Sequence, residues 1–156
     1  MLNWIESTGL AIWLRESPSL WALATVMTLH TGGMAILVGA SWVLDLRLLG
    51  VSRNVPVSAF RWVFPVVAIG LGINLTTGVL LFIKNATVWA TAIPFLIKMA
   101  LVVASTATLL PLRKYVMNSD AATLAVSSDA RRLAVASILT WTAAVVAGRM
   151  LAYLVA

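Results

Sequence analysis

Four apolar runs decide what this chain can fold into. They are Leu20–Leu44, Val63–Ile83, Val88–Leu112 and Leu133–Val155. Each is long enough to cross a hydrocarbon core of about 30 Å, which needs roughly 20 helical residues. None alternates as a strand would, and a barrel needs many more segments. A backbone in lipid must satisfy its own hydrogen bonds, so these runs are expected to be helices. Composition agrees: 62% of the 156 residues are hydrophobic and 10% are charged, with a mean hydropathy of +1.01. Soluble domains carry about 25% charged residues, and so small a chain could not bury this much apolar surface in water. The expected architecture is all-α, a single domain over residues 1–156 built as a four-helix transmembrane bundle.

Local signals place the helix ends. Ser17-Pro18 predicts a cap followed by proline at the first helical position, and Gly50 predicts a left-handed stop after Leu48-Leu49. Pro65 and Pro94 fall in first turns, where a missing N–H costs least. Pro111 is expected to end the membrane part of the third helix, and Ser127, Ser128 and Asp129 are candidate caps for the fourth. Residues 1–16 mix Leu2, Trp4, Ile5, Leu10, Ile12, Trp13 and Leu14 with Glu6, Arg15 and Glu16. This stretch is too short and too charged to span, so it reads as a helix lying in the bilayer interface. It lacks the basic start and the small-residue cleavage site of a secretory signal.

The Lys and Arg residues set an expected orientation. Arg47, Arg53 and Arg61 follow the first helix, and Arg113, Lys114, Arg131 and Arg132 follow the third. The opposite side holds only Arg15 and Lys84 outside the spans. The positive-inside rule then puts both termini on the side away from the cytoplasm, which is the periplasmic side if the membrane is a bacterial inner one. Trp21, Trp42, Trp62, Trp89, Tyr115 and Tyr153 fall near the ends of the runs, as an aromatic belt requires, and Trp141 alone sits mid-span. The net charge of +6 is thereby explained by topology. No basic stripe or reading motif points to nucleic acid. The absence of cysteine excludes disulfides, thiolate catalysis and iron–sulfur clusters.

Ionisable groups inside a span are costly and usually functional. Three qualify: His30, Lys98 and Arg149, on three different helices at a similar depth. Gly33, one turn after His30, is expected to leave clearance for a flat ligand. Gly70, Asn74 and Gly78 form a smooth strip with one amide, and Ala144, Gly148 and Ala152 form another beside Arg149. Small residues at this spacing also simply permit close helix packing. His30 alone could be a neutral histidine bonded to Asn74, Thr76 or a backbone carbonyl. Lys98 and Arg149 could snorkel to the headgroups.

Three ligands follow from this set. Haem b would take His30 as axial nitrogen, with Lys98 and Arg149 against its propionates. The chain has a single histidine, so a second axial ligand would come from Met99, Met150 or another subunit. A Cu(I) site would use His30 with Met27, Met34, Met99 and Met150 as soft ligands, although methionine is also an ordinary gap-filler. A quinone-like or anionic ligand would suit His30, Asn74, Lys98 and Arg149 together. Proton-coupled transport is not expected, because the spans as drawn contain no acidic residue; Asp45, at the end of the first, is expected to pair with Arg47, Arg61 or Arg113. No G-x-S-x-G or H-E-x-x-H motif supports hydrolysis, and the chain is not expected to be an enzyme on its own.

The stretch Leu29-His30-Thr31-Gly32-Gly33, through Leu37-Val38-Gly39 to Leu44-Asp45-Leu46-Arg47-Leu48-Leu49-Gly50, resembles a family of uncharacterised small bacterial inner-membrane proteins. So do Phe95-Leu96-Ile97-Lys98 and Ala147-Gly148-Arg149-Met150-Leu151-Ala152-Tyr153. The resemblance covers most of the chain and implies a four-helix membrane domain of unknown function, similar in layout to b-type cytochrome and copper-resistance membrane domains. It places His30, Asp45, Arg47, Lys98 and Arg149 on recurring polar positions. It also implies a further histidine near the end of the third helix, where this chain has Leu112 and Arg113. Two function classes follow: a cofactor- or ligand-binding, electron-transfer-linked membrane module, or a non-catalytic membrane subunit. A redox membrane partner or a homo-oligomer is the expected assembly.

Overall fold

The computed structural model describes residues 2–120 and 122–154. Met1 and Val155, the outer limits expected for the first and last helices, lie outside the described residues, as does the side chain of Ala152. The described chain is all-helical, in the order α1 (Asn3–Glu6), α2 (Gly9–Glu16), α3 (Leu20–Leu49), a 3-10 turn (Val57–Phe60), α4 (Val63–Lys84), α5 (Ala86–Trp89), α6 (Ile93–Met117) and α7 (Ser128–Leu154). Four helices, α3, α4, α6 and α7, are long and apolar enough to cross a membrane, which suggests a multi-pass membrane protein.

Local chemistry accounts for most of the helix ends. Gly50 stops α3 in the left-handed region at φ 113°; its N–H bonds to Arg47 O, and Val51 N–H reaches back to Leu46 O. Pro94 lies in the first turn of α6. Ser127 Oγ accepts from Ala130 N–H at 3.2 Å and so caps α7. Three boundaries differ from the sequence reading. Helix α3 begins at Leu20 behind Ser19, because Ser17 Oγ instead accepts from Ser19 N–H within the preceding turn. Helix α6 starts at Ile93 rather than Val88, because Ala86–Trp89 forms the separate helix α5. Helix α6 also runs through Pro111 to Met117. A proline costs an interior helix one hydrogen bond, and here Pro111 is exposed on the outer face of the bundle, where its ring meets no neighbouring helix.

The N-terminal piece is two short helices, not one. Thr8 caps α2 through a bond from Ala11 N–H. Ala11 and Leu14 are buried while Trp4 and Trp13 are exposed, so α2 lays one face on the bundle.

Packing divides the bundle into two hairpins. Helix α3 packs along α4, and α6 along α7, while the seam between α3 and α7 joins the pairs. The apolar core lies toward one end, formed by Leu37, Leu44 and Leu48 of α3, Val63 and Val67 of α4, Leu109, Leu112 and Val116 of α6, and Ala134, Trp141 and Ala144 of α7. We call this the basic end, because Arg47, Arg53, Arg61, Arg113, Lys114, Arg131 and Arg132 cluster in and beside its loops. Arg47 is 2% exposed and its guanidinium ties two loops, donating to Val55 O at 2.7 Å and Leu124 O at 3.1 Å. Arg61 donates to Met117 O and Ser119 O. The opposite, terminal end carries both termini. There α6 has no fully buried residue from Ile93 to Ala104.

Candidate functional site

The site is built at the terminal end, where the two hairpins face one another. Its floor is set by glycine. A Cβ at Gly33 would lie 2.9 Å from Asn74 N and 3.1 Å from Gly70 O, and one at Gly70 would lie 2.7 Å from Leu37 N. Helices α3 and α4 therefore touch backbone to backbone. This corrects the expectation for Gly33: the clearance it creates is filled by α4, and no flat ligand fits there. A haem has no room on that face of His30.

The close approach brings His30 against α4. Its Nδ1 lies 3.1 Å from Asn74 O and 3.0 Å from Thr77 Oγ1. A carbonyl can only accept, so Nδ1 carries the proton. Thr77 Oγ1 donates to Ile73 O and its remaining lone pair accepts from Nδ1–H. In its neutral form the imidazole is thereby held in one tautomer with its Nε2 lone pair free, since Nε2 makes no hydrogen bond among the described residues. Asn74 returns the contact by donating its side-chain amide to His30 O at 2.9 Å. The ring edge rests on Gly78, where an added Cβ would meet His30 Cε1 at 3.3 Å. The partners are thus Thr77 and the Asn74 carbonyl, one residue from the Thr76 suggested by spacing.

The second hairpin contributes Lys98. Its stem crosses α7 at Gly148, where an added Cβ would meet Lys98 Cε at 3.3 Å and Nζ at 3.5 Å. Lys98 is half-buried. One turn closer to the terminal end, Phe82 of α4 stacks on Phe95 of α6 with centroids 5.4 Å apart, and Trp89 leans on Phe95. Phe82 lies four residues after Gly78 and Phe95 three before Lys98, so the aromatic stack stands over the faces that carry His30 and Lys98. Thr77, Phe82 and Phe95 were not singled out by sequence; a hydroxyl three residues after Asn74 is the one signal that could have marked Thr77.

The remaining candidates fall elsewhere. Arg149 is exposed, with its guanidinium 5.6 Å from the Tyr153 ring centroid, so it stands outside the cluster. Met34 packs on the apolar core. Met27, Met99 and Met150 are exposed, and Met27 lines a shallow surface pocket of about 420 Å³ with Thr28, Thr31, Gly32 and Ala35. No group of three or more His, Asp or Glu able to hold a metal ion occurs among the described residues.

Asp45 contradicts its expected pairing. It is fully buried, lies inside the apolar stretch Trp21–Leu49 and accepts from Ser137 Oγ on α7 at 2.7 Å. Arg47 and Arg61 turn instead to backbone carbonyls at the basic end. Asp45 faces α7, while Arg47, also buried, reaches along the end of α3 to loop carbonyls.

At the terminal end, a beam from N-terminal helix to bundle closes the assembly: Glu6 accepts from Thr87 N–H at 2.7 Å and from Thr87 Oγ1 at 2.6 Å. These two bonds hold the Glu6 carboxyl below the usual range. Nothing among protein-family models, curated proteins or solved structures matches this chain.

Proposed function

We propose that this protein is a membrane module that binds a small ligand of the quinone class between its two hairpins, linked to electron transfer. The observation that carries this reading is the Nε2 of His30, left without a partner by the bonds that hold Nδ1, with the half-buried Lys98 on the facing hairpin and an aromatic stack one turn beyond. The lone pair accepts a hydrogen bond from a quinol hydroxyl, and the ammonium donates to a quinone carbonyl. The chain has no cysteine and one histidine, so the redox step itself falls to a membrane partner. By the positive-inside count, the site lies in the periplasmic half of a bacterial inner membrane.

A second reading is a non-catalytic subunit in which polar groups only lock helices together. The reciprocal bonds between His30 and Asn74 favour it. One experiment separates the two. The protein is purified in mild detergent, its bound lipids are identified by mass spectrometry, and binding of a short-tailed benzoquinone is measured with metal analysis and a visible spectrum alongside. The first reading expects quinone binding that weakens about tenfold in Lys98→Met and in His30→Ala, the loss of roughly one hydrogen bond each. A colourless, metal-free protein that binds no quinone establishes the second. A Soret band or stoichiometric copper overturns both.

A further inference from the structure

The seam between α3 and α7 holds a group that the proposed ligand site does not use. Asp45 is 0% exposed, as are Ser41 one turn before it, Ser137 and Trp141 on α7, and Ser105 on α6. Asp45 Oδ2 accepts from Ser137 Oγ, while Asp45 Oδ1 and Trp141 Nε1 have no partner. No cation approaches within ion-pairing distance of the carboxyl among the described residues.

No charged group of the surrounding helices is ion-paired with Asp45 among the described residues, and His30, Lys98 and Arg149 lie toward the terminal end. Arg47, on the same helix, is bonded to Val55, Arg53 and Leu124 carbonyls. On α6, Arg113 and Lys114 are exposed; on α7, Asp129, Arg131 and Arg132 are exposed; the basic-end Arg61 is exposed too. Helix α4 carries only Lys84, at the far end. A carboxylate charge left in such surroundings with one neutral donor would cost far more than a single hydrogen bond returns.

We propose that Asp45 is a proton-binding site, carrying its proton on Oδ1 inside the seam that joins the two hairpins. Oδ2 is then the carbonyl oxygen that accepts from Ser137. Asp45 lies about one turn from the end of α3 at Gly50. This site is independent of any ligand at His30 and Lys98. It gives the module a place to hold one proton where the hairpins meet.

The chain contains three aspartates, Asp45, Asp120 and Asp129, which makes the test direct. The full chain, labelled with carbon-13 at its aspartate carboxyls and placed in lipid nanodiscs, is titrated by NMR, with Asp45→Asn used to assign its signal. At about pH 6, well above the ordinary aspartate value of about 3.9, the Asp45 signal is expected to remain that of a neutral acid. Ser137→Ala is expected to shift the Asp45 signal and leave the other two in place. Asp45→Asn, which mimics the neutral acid, is expected to melt no lower than the unaltered chain. An Asp45 signal already ionised at about pH 6, or one that responds to sodium rather than to pH, overturns the proposal even if the variants fail to fold.

Discussion

The two ends of the bundle solve opposite problems with the same helices. At the basic end all four long helices meet: Leu37, Leu44, Leu48, Leu112 and Trp141 are almost wholly enclosed, and arginines stitch the loops through carbonyls. At the terminal end the hairpins touch through an aromatic stack, and the first three turns of α6 hold no fully buried residue. The tight end fixes the relative position of the hairpins. The loose end presents a histidine lone pair and a lysine in the space that results. Because lipid is as apolar as leucine, burial alone does not drive helices together in a membrane. What separates the ends is steric fit and polar bonding, not hydrophobicity.

Cavity-making substitutions give the sharpest way to break this comparison. Leu112→Ala removes a fully enclosed side chain and is expected to destabilise the fold by about 2–5 kcal/mol. Leu96→Ala on the same helix, 53% exposed, is expected to change stability by less than about 0.5 kcal/mol. Unfolding curves of both variants in one detergent measure the contrast, and equal losses would mean that the terminal end is packed as tightly as the basic end.

Glycine substitutions probe the same division at smaller scale. Gly70→Ala drives a methyl to 2.7 Å from the Leu37 backbone nitrogen. Backbone cannot rotate aside, so α3 and α4 must part, at about 1–3 kcal/mol. The separation should also loosen the His30–Asn74 contact and weaken benzoquinone binding. Gly39→Ala meets nothing within 4 Å and is expected to stabilise α3 by up to about 1 kcal/mol through helix propensity. Thermal unfolding that ranks the two alanines in the opposite order would show that α3 and α4 do not pack at Gly70.

The smallest effect concerns the Glu6 latch. Its carboxyl is held below the ordinary glutamate value by the bonds from Thr87. A depressed folded-state value stabilises the latch at pH above the ordinary value of about 4.3, and this stabilisation fades as pH falls through the lowered folded value. Acid is therefore expected to release α1 from α5 while the bundle stays folded. Hydrogen exchange at the Thr87 amide should quicken below about pH 4, and Glu6→Gln should exchange quickly at every pH. Unchanged protection in acid would mean that something other than the carboxylate holds α1.

Sequence alone determined that there are four long helices and set most of their ends, because length, apolarity, Gly50 and the early prolines act locally. It also singled out His30 and Lys98, because an ionisable group within an apolar run stands out whatever its neighbours are. Which way each residue faces came only from the tertiary structure. These helices are apolar on nearly every side, so hydrophobic periodicity carries no mark of the inner face. Hence Gly33 read as open space and proved to be filled by α4, Arg149 read as part of the cluster and stands outside it, and Asp45 read as an ion-pair partner and is enclosed against Ser137. Pairing order among four near-equivalent helices is fixed by backbone contacts at Gly33 and Gly70 and by carbonyls that capture Arg47 and Arg61, long-range choices that no single apolar run encodes.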